Sequence, residues 1–198
     1  GCAEDAASVL AMLSAENVFS SESSGDEDAP RGAAARRVFA QGSGDHATLL
    51  AIYGAWSEAV RRGDSSWCRV HGVEARALRT VASIREQLLS FCRRVQKQNR
   101  ATSDTAPASS DGLLRALAAG HFLQCAVLQP DGAYRTFVGR HAAALHPSGV
   151  LCALPPGRRP PCVVYHEVVR TARLYLRTVS AVDPAWIAEH TRAARDFS

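Results

Sequence analysis

The chain has 198 residues, of which 46% are hydrophobic and 21% are charged, and its net charge is +4. This composition predicts a folded protein with a real core and excludes wholesale disorder. No apolar run reaches the roughly 18 residues that a membrane span needs, and the acidic start at Glu4 and Asp5 is unlike a secretory signal. Because the first residue is not methionine, we expect a piece of a longer protein.

The first part of the chain predicts helices joined by polar segments. Residues 3–13 carry apolar side chains at helical spacing, whereas residues 20–36 are acidic, serine-rich and aperiodic, which predicts a mobile loop. Asp45 is the predicted N-cap of a further helix that ends before Gly63. This part therefore predicts a helical domain over residues 1–110.

A long helix is predicted over residues 73–98, where apolar side chains recur at steps of four and three. Residues 76–100 contain seven basic side chains and only one acidic side chain, Glu86, so the rest of the helix surface is cationic. Two interpretations stay open: a solvated face, or contact with a polyanion through Arg93, Arg94 and Lys97. The predicted apolar stripe consists of Ala77, Val81, Ile84, Leu88, Phe91 and Val95.

The periodicity changes after a short helix at 111–119. Gln129 to Gly132 forms a predicted turn, and Asp183 is the predicted cap of a closing helix over 184–194. Short strands separated by turns, with no long helix between them, indicate a small barrel, so the fold class is α+β. The predicted strands are 122–128, 134–138, 142–145, 150–154, 162–169 and 174–179.

The charges are unevenly distributed along the chain. Residues 1–110 carry 13 basic and 13 acidic side chains, whereas residues 111–198 carry 10 basic and 6 acidic ones. A basic second half is compatible with a phosphate backbone as partner. Many ordinary domains are equally basic, so this observation permits such a partner without requiring it.

The sequence lacks the nucleotide-binding and hydrolase motifs that we searched for. The only lysine, Lys97, does not follow a glycine-rich loop, so no Walker A motif exists, and the acidic pair at Asp26 and Glu27 follows serines instead of a buried strand. No nucleophile elbow occurs, and nothing selects a catalytic pair among the seven histidines. We therefore predict no catalytic residue; an unrelated enzyme with a hidden Ser–His or Cys–His pair stays as an alternative.

The six cysteines are sparse and mostly lie in apolar runs, which favours free, buried thiols in a reducing compartment. Cys68 and His71 have ligand-like spacing, but no second pair follows at zinc-finger distance, so we predict no metal site.

These segments, taken in order, resemble the C-terminal region of DEAH-box ATP-dependent RNA helicases, which consists of a helicase-associated (ratchet) domain and an OB-fold. Each motif is weak alone, and their order covers nearly the whole chain. The matching runs are 9–19 (VLAMLSAENVF), 44–50 (GDHATLL), 67–68 (WC), 76–78 (RAL), 84–88 (IREQL), 116–122 (ALAAGHF), 134–136 (YRT), 146–148 (HPS), 163–167 (VVYHE) and 183–186 (DPAW).

The resemblance implies a ratchet-type helical domain at 1–110 and a five-stranded OB-fold barrel with a C-terminal helix at 111–198. In this family the two domains cover the RecA-like motor domains and close a tunnel around single-stranded RNA. ATP and magnesium belong to those motor domains, and no cofactor is expected in this chain. The resemblance also implies RNA processing, an intracellular nuclear or nucleolar location, no membrane, and a G-patch-type activator as a family partner.

The RNA-contact candidates in the barrel are Arg135, Arg140, His146 and Ser148, with Arg93, Arg94 and Lys97 added from the helical domain. The alternatives are a surface arginine at 135 and a structural turn at 146–148, and Tyr165 and Trp186 fit a core better than a stacking platform. The predicted function is RNA gripping for an absent motor. The alternative is a stand-alone RNA-binding or scaffold module that lost its ATPase core.

Overall fold

The computed structural model describes residues 2–16, 18–20, 23–24, 27–98 and 111–188. Contacts between Cα atoms group the chain into two compact units. Residues 1–40 and 48–110 form the helical unit, and residues 41–47 and 111–198 form the barrel unit. The division at residue 110 stays a prediction of domain organisation, and residues 41–47 group with the barrel.

The helical unit confirms the three helices predicted over 3–13, 45–62 and 73–98, within a few residues at their ends. An additional short helix, α4, ends at Gly72, whose φ of 62° is left-handed and whose N–H caps the last carbonyls. The elements are α1 (Ala3–Ser14), β1 (Ser23–Ser24), β2 (Glu27–Pro30), α2 (Arg31–Val38), α3 (Asp45–Arg61), α4 (Trp67–His71) and α5 (Ala75–Gln98).

The prediction that 20–36 is a mobile loop is wrong for much of that segment. Strands β1 and β2 pair antiparallel, and α2 begins at Arg31. Three consecutive alanines and flanking arginines are strong helix formers, and the buried Ala35 gives α2 a packed face. The acidic, serine-rich composition of the preceding residues obscured this local preference.

Helices α1 and α5 pack against each other. Val81 is fully buried, and Ala77, Ile84 and Leu88 pack against the core of the helical unit, which confirms the first half of the apolar stripe. Phe91, in the second half, is 57% exposed, so the prediction of a continuous buried stripe is wrong at Phe91. Helix α1 has 12 residues and α5 has 24, so α1 can cover only part of the length of α5.

The barrel unit contains a closed five-stranded barrel in the order β3-β4-β5-β7-β6, which confirms the α+β fold class and the OB-type architecture. All neighbours are antiparallel except β5 and β7. Residues 184–188 begin the C-terminal helix, and its predicted continuation to 194 lies outside the described residues. The elements are α6 (Gly112–Gly120), β3 (Cys125–Leu128), β4 (Tyr134–Thr136), β5 (Ala142–Leu145), β6 (Cys162–Arg170) and β7 (Leu174–Ala181).

Two predicted strands are corrected by the structure. Residues 150–154 form a 3-10 helix, Val150–Ala153, and the predicted strand 122–128 begins as another, Phe122–Gln124. In the first case Leu151 is buried in the barrel core while the backbone bonds locally, with Cys152 N–H donating to Gly149 O. A short apolar run is compatible with a strand or a helical turn, and periodicity cannot separate them.

Residues 41–47 lie against strand β7. Gly44 forms an isolated antiparallel bridge with Ser180, and the N–H of Ala181 donates to the carbonyl of Ser43. Asp45 is the first residue of α3, and its carboxylate accepts hydrogen bonds from the N–H groups of Val150 and Val179 at 2.8 and 2.7 Å. Helix α3 therefore begins within the barrel unit.

None of the described helices is long and apolar enough to cross a bilayer.

Candidate nucleic-acid interface

His146 and Ser148 form a compact turn directly after β5. The N–H of Ser148 donates to His146 Nδ1 at 3.2 Å, and the Ser148 hydroxyl lies 2.8 Å from the same nitrogen. Because a backbone N–H can only donate, Nδ1 is an acceptor, and a neutral ring then carries its proton on Nε2. The turn is therefore stabilised by its own hydrogen bonds, and these bonds select one tautomer of the His146 imidazole.

Tyr175 and Arg173 lie beside this turn, and the sequence reasoning missed them. The ring of His146 meets the ring of Tyr175 edge-on, with centroids 5.6 Å apart. The Arg173 guanidinium lies 4.9 Å from the Tyr175 ring centroid, and its Nε donates to the tyrosine hydroxyl at 2.9 Å. A usable signal existed, because Tyr175 and Arg177 share a face of one strand and Arg173 precedes that strand at the same spacing of two residues.

Arg135 and Arg140 are brought together at the other end of β5. Arg135 lies in β4, paired with Ala142, and its NH1 donates to the carbonyl oxygen of Arg140 at 3.2 Å. Arg140 is exposed and has a left-handed φ of 53°. Arg135 thus supports the loop that carries Arg140, and Arg140 is the more accessible cation of the two.

The two predicted pairs are separated along the barrel. Ala142 and His146 are four residues apart along an extended segment, which spans about 13 Å at 3.3 Å per residue. The Arg135–Arg140 pair and the His146–Ser148 pair therefore lie at opposite ends of β5 and do not form one cluster.

Arg93, Arg94 and Lys97 are exposed near the end of α5, in the helical unit. Arg93 NH2 lies 3.9 Å from a carboxylate oxygen of Glu86, and the Arg94 guanidinium lies 5.9 Å from the ring centroid of Phe91. Such exposed ion pairs contribute little to stability, so these cations are accessible to an anionic partner.

The buried thiols and histidine of the barrel unit do not have the features of nucleophiles or bases. Burial raises the pKa of Cys125 to about 12 and that of Cys162 to about 11, so both stay as thiols. Burial, with nearby His166 and His121, lowers the pKa of His46 to about 4. His46 donates its backbone N–H to Ser180 Oγ, and its Nδ1 lies 2.9 Å from the same oxygen.

His71 and Tyr165, the first predicted to lack a metal and the second to lie in a core, both have structural partners. His71 Nδ1 lies 2.9 Å from the carbonyl of Trp67, and the two rings stack with centroids 4.3 Å apart. Within the described ranges, no group of three or more His, Cys, Asp or Glu side chains is placed to hold a metal ion. Tyr165 is 6% exposed and packs in the barrel core.

Comparison with known protein families agrees with this architecture. Residues 113–194 match the family described as oligonucleotide/oligosaccharide-binding (OB)-fold, and residues 1–49 match the helicase associated domain (HA2), ratchet-like. A ratchet-like helicase-associated region followed by an OB-fold barrel defines the accessory region of a nucleic-acid helicase.

The relatives identify the family. The chain is 34% identical to the pre-mRNA-splicing factor ATP-dependent RNA helicase prp22 of Schizosaccharomyces pombe, over 96% of this chain and 15% of that protein. It is 35% identical to the probable ATP-dependent RNA helicase DHX35 of Homo sapiens, over 96% of this chain and 25% of that protein. The chain belongs to the DEAH-box RNA helicases and corresponds to their C-terminal region.

Proposed function

We propose that this chain grips single-stranded RNA for an ATP-dependent DEAH-box helicase motor whose domains lie outside it. The observation that carries the proposal is the cluster of Arg173, Tyr175, His146 and Ser148 on the outer side of the OB-fold barrel. OB-folds bind single strands with cationic and aromatic surfaces of this kind.

Arg173 is suited to a phosphate contact. Its Nε donates a hydrogen bond to the Tyr175 hydroxyl, and its guanidinium group lies near the Tyr175 ring. Its two terminal amino groups have no partner in the described part of the chain. A guanidinium fixed in this way presents two parallel donors to a phosphate at a reduced entropy cost. His146 would contact the strand beside Arg173, and Arg140 would contact it from the far end of β5.

The remaining parts of the function lie with the missing motor. ATP and magnesium would bind the RecA-like domains, and a G-patch-type protein would be the activator. The relative prp22 is named a pre-mRNA-splicing factor, which supports a role in RNA processing and a nuclear or nucleolar location for this chain. The chain spans between 15% and 25% of the length of the relatives compared, so motor coupling is part of the proposal.

The binding test is fluorescence anisotropy of a labelled oligouridine with the chain and its Arg173→Glu and Arg140→Glu variants. We expect each variant to bind at least about fivefold more weakly at low salt, whereas Arg69→Glu, an exposed charge reversal on α4, binds within about twofold of the parent chain. Equal affinity for all four proteins would contradict the assignment of these residues.

A second test concerns the motor. The chain alone should show no RNA-stimulated ATP hydrolysis, because its sequence contains no Walker A lysine. Turnover that persists through successive purification steps and a mock purification control would refute the helicase-accessory function.

A further inference from the structure

One open end of the barrel carries a cavity that the proposed RNA contacts do not use. Its volume is about 340 Å³, at the small end of the range of about 300–1,000 Å³ for ligand pockets. It opens where β4 and β6 end and where β5 and β7 begin. The lining residues are Thr136, Val138, His141, Ala143, Tyr165, Val168, Arg170 and Leu174.

The floor of this barrel mouth is aliphatic and accessible. Val138 is 57% exposed and Val168 is 46% exposed, although both belong to residue types that are usually buried. Tyr165 presents little surface because it packs in the core. The exposed apolar side chains at the mouth, Val138 and Val168, are branched aliphatics, which fit an apolar anchor side chain of a partner.

The rim of the mouth carries groups that bind carboxylates. It is lined by the cation Arg170 and by His141, whose ring has at least one N–H donor, and no carboxylate is among the lining residues. Glu167, on the same strand as Arg170, is paired with Arg177 at 2.7 Å. The rim therefore attracts a segment with acidic residues on both sides of its anchor.

The loop that carries Val138 and His141 is held in place before any partner arrives. The buried Thr136 hydroxyl donates to the carbonyl of Val138 at 2.8 Å and accepts from the N–H of His141 at 3.0 Å. Gly139 has a φ of +73°, and a Cβ there would lie 2.4 Å from the His141 ring, so the ring packs on bare backbone. A rim ordered in this way lowers the entropy cost of binding.

We propose that the barrel mouth is a docking site for an acidic segment of a partner protein, which inserts one apolar side chain between Val138 and Val168 and places its carboxylates against His141 and Arg170. None of the lining residues belongs to the Arg173–Tyr175 cluster, and the proposal does not depend on the RNA function proposed above. Arg140 is next to His141 in the loop that lines the mouth.

The probe is a short fluorescein-labelled peptide with one central leucine flanked on both sides by aspartates and glutamates. We expect saturable binding to the whole chain, and loss of at least about tenfold in affinity when the leucine is replaced by serine. Nitrogen–proton correlation spectra recorded during the titration should shift at Val138, His141, Val168 and Arg170. Absence of binding, or shifts centred elsewhere, would overturn the proposal.

Variants separate this site from an RNA surface. Val168→Asp and Arg170→Glu should each weaken the peptide by at least about tenfold, whereas Arg170→Lys should stay within about threefold. Val127→Asp and Arg158→Glu, on the same barrel but outside the cavity, are the matched controls and should bind normally. Thermal unfolding checks that all variants are folded. We expect Val168→Asp to fold, because Val168 is partly exposed.

The RNA arm of the test uses a labelled oligouridine. Val168→Asp should leave its affinity within about twofold, because the aliphatic floor offers nothing to a base. A loss of oligouridine binding parallel to the loss of peptide binding would assign the mouth to RNA and overturn the proposal. Equal peptide affinity for the variants and their controls would overturn it as well.

Discussion

The carboxylate of Asp45 accepts the buried N–H of Val179 at 2.7 Å, across 134 residues of sequence. Its other oxygen accepts the N–H of Val150 at 2.8 Å. The residue before Val179, Thr178, has a left-handed φ of 53°, which is uncommon for a β-branched residue. One carboxylate thus holds two separate segments of the barrel, beside a strained point in β7.

We predict that Asp45→Ala destabilises the barrel by about 2–4 kcal/mol, because two N–H groups lose a charged acceptor and one of them is buried. Chemical denaturation followed by tryptophan fluorescence and circular dichroism measures the change. Asp131→Ala is the matched control, since Asp131 accepts only a local N–H in an exposed turn and should cost less than about 1 kcal/mol. Equal losses for the two variants would contradict a special role for Asp45.

Gly44→Ala should destabilise the same contact by about 2 kcal/mol or more. Gly44 has a φ of +119°, and a Cβ would lie 2.4 Å from the carbonyl oxygen of Val179, which is backbone and cannot turn away. Gly42→Ala is the control because a Cβ at Gly42 meets nothing within 4 Å. Denaturation midpoints should fall clearly for Gly44→Ala only; a similar shift in both would show that the close approach is unimportant.

The stability of the barrel unit should fall as the pH is lowered from about 6.5 to about 4. Burial lowers the pKa of His46 from 6.5 to about 4, so the unfolded chain takes up a proton before the folded one does. The stabilising contribution of His46 is complete above its pKa in the unfolded chain and is lost as the pH falls to its pKa in the folded protein. It amounts to about 3 kcal/mol. Urea denaturation across this pH range measures it.

His46→Asn tests the assignment, because asparagine places a polar group near the position of Nδ1 but does not titrate. The slope of stability against pH should become shallower in this variant. A smaller slope of the same sign should remain, since burial also lowers the pKa of His166. An unchanged slope would show that His46 is not the group responsible.

Arg85 is the polar link within the pair α1 and α5. Its Nε donates to Ser8 Oγ at 2.9 Å, an amino group lies 3.2 Å from Glu4, and its side chain is 18% exposed. We expect Arg85→Ala to destabilise the helical unit by about 1–3 kcal/mol, through the lost bonds and lost packing. Arg79→Ala, at an exposed position of α5, should change stability by less than about 0.5 kcal/mol. Calorimetry of both variants decides whether burial of Arg85 matters.

The cations near the end of α5 should affect RNA binding through salt dependence. If Arg93, Arg94 and Lys97 each neutralise one phosphate, replacing all three by alanine should reduce the slope of log affinity against log salt by about 2. Oligouridine titrations at several salt concentrations measure the slope. A slope identical to that of the parent chain would assign these residues to a solvated face.

The elements with strong local signals were predictable from the sequence. Helices α1, α3 and α5 follow from apolar spacing, and the left-handed Gly63, with φ of +75°, ends α3 as expected. The barrel strands followed from short apolar runs between turns. Helix α2 was missed because acidic serines precede its alanines, and Val150–Ala153 was misassigned because four apolar residues have no distinguishing period.

The candidate interface was predictable only in part. His146 and Ser148 stood out as a motif, and Arg135 and Arg140 as basic residues beside a strand. Only the tertiary structure shows their separation along β5, the hydrogen bond from Arg135 to the carbonyl of Arg140, and the position of Arg173 and Tyr175 beside His146. Tyr175 reaches His146 because β5 and β7 pair in parallel, and no local pattern specifies that pairing.

By itself, the sequence determined a helical part and a strand-rich part, because these depend on spacings within one turn of helix or one strand. The resemblance to a helicase family came from the order of the motifs along nearly the whole chain. Only the tertiary structure decided which residues of α5 are exposed, which two segments of the barrel Asp45 holds, and which end of the barrel carries the cavity. Those features depend on contacts between residues more than 100 positions apart, such as Asp45 with Val150 and Val179. Such contacts form only when the whole unit has folded and brought the two residues together, so no short stretch of sequence predicts them.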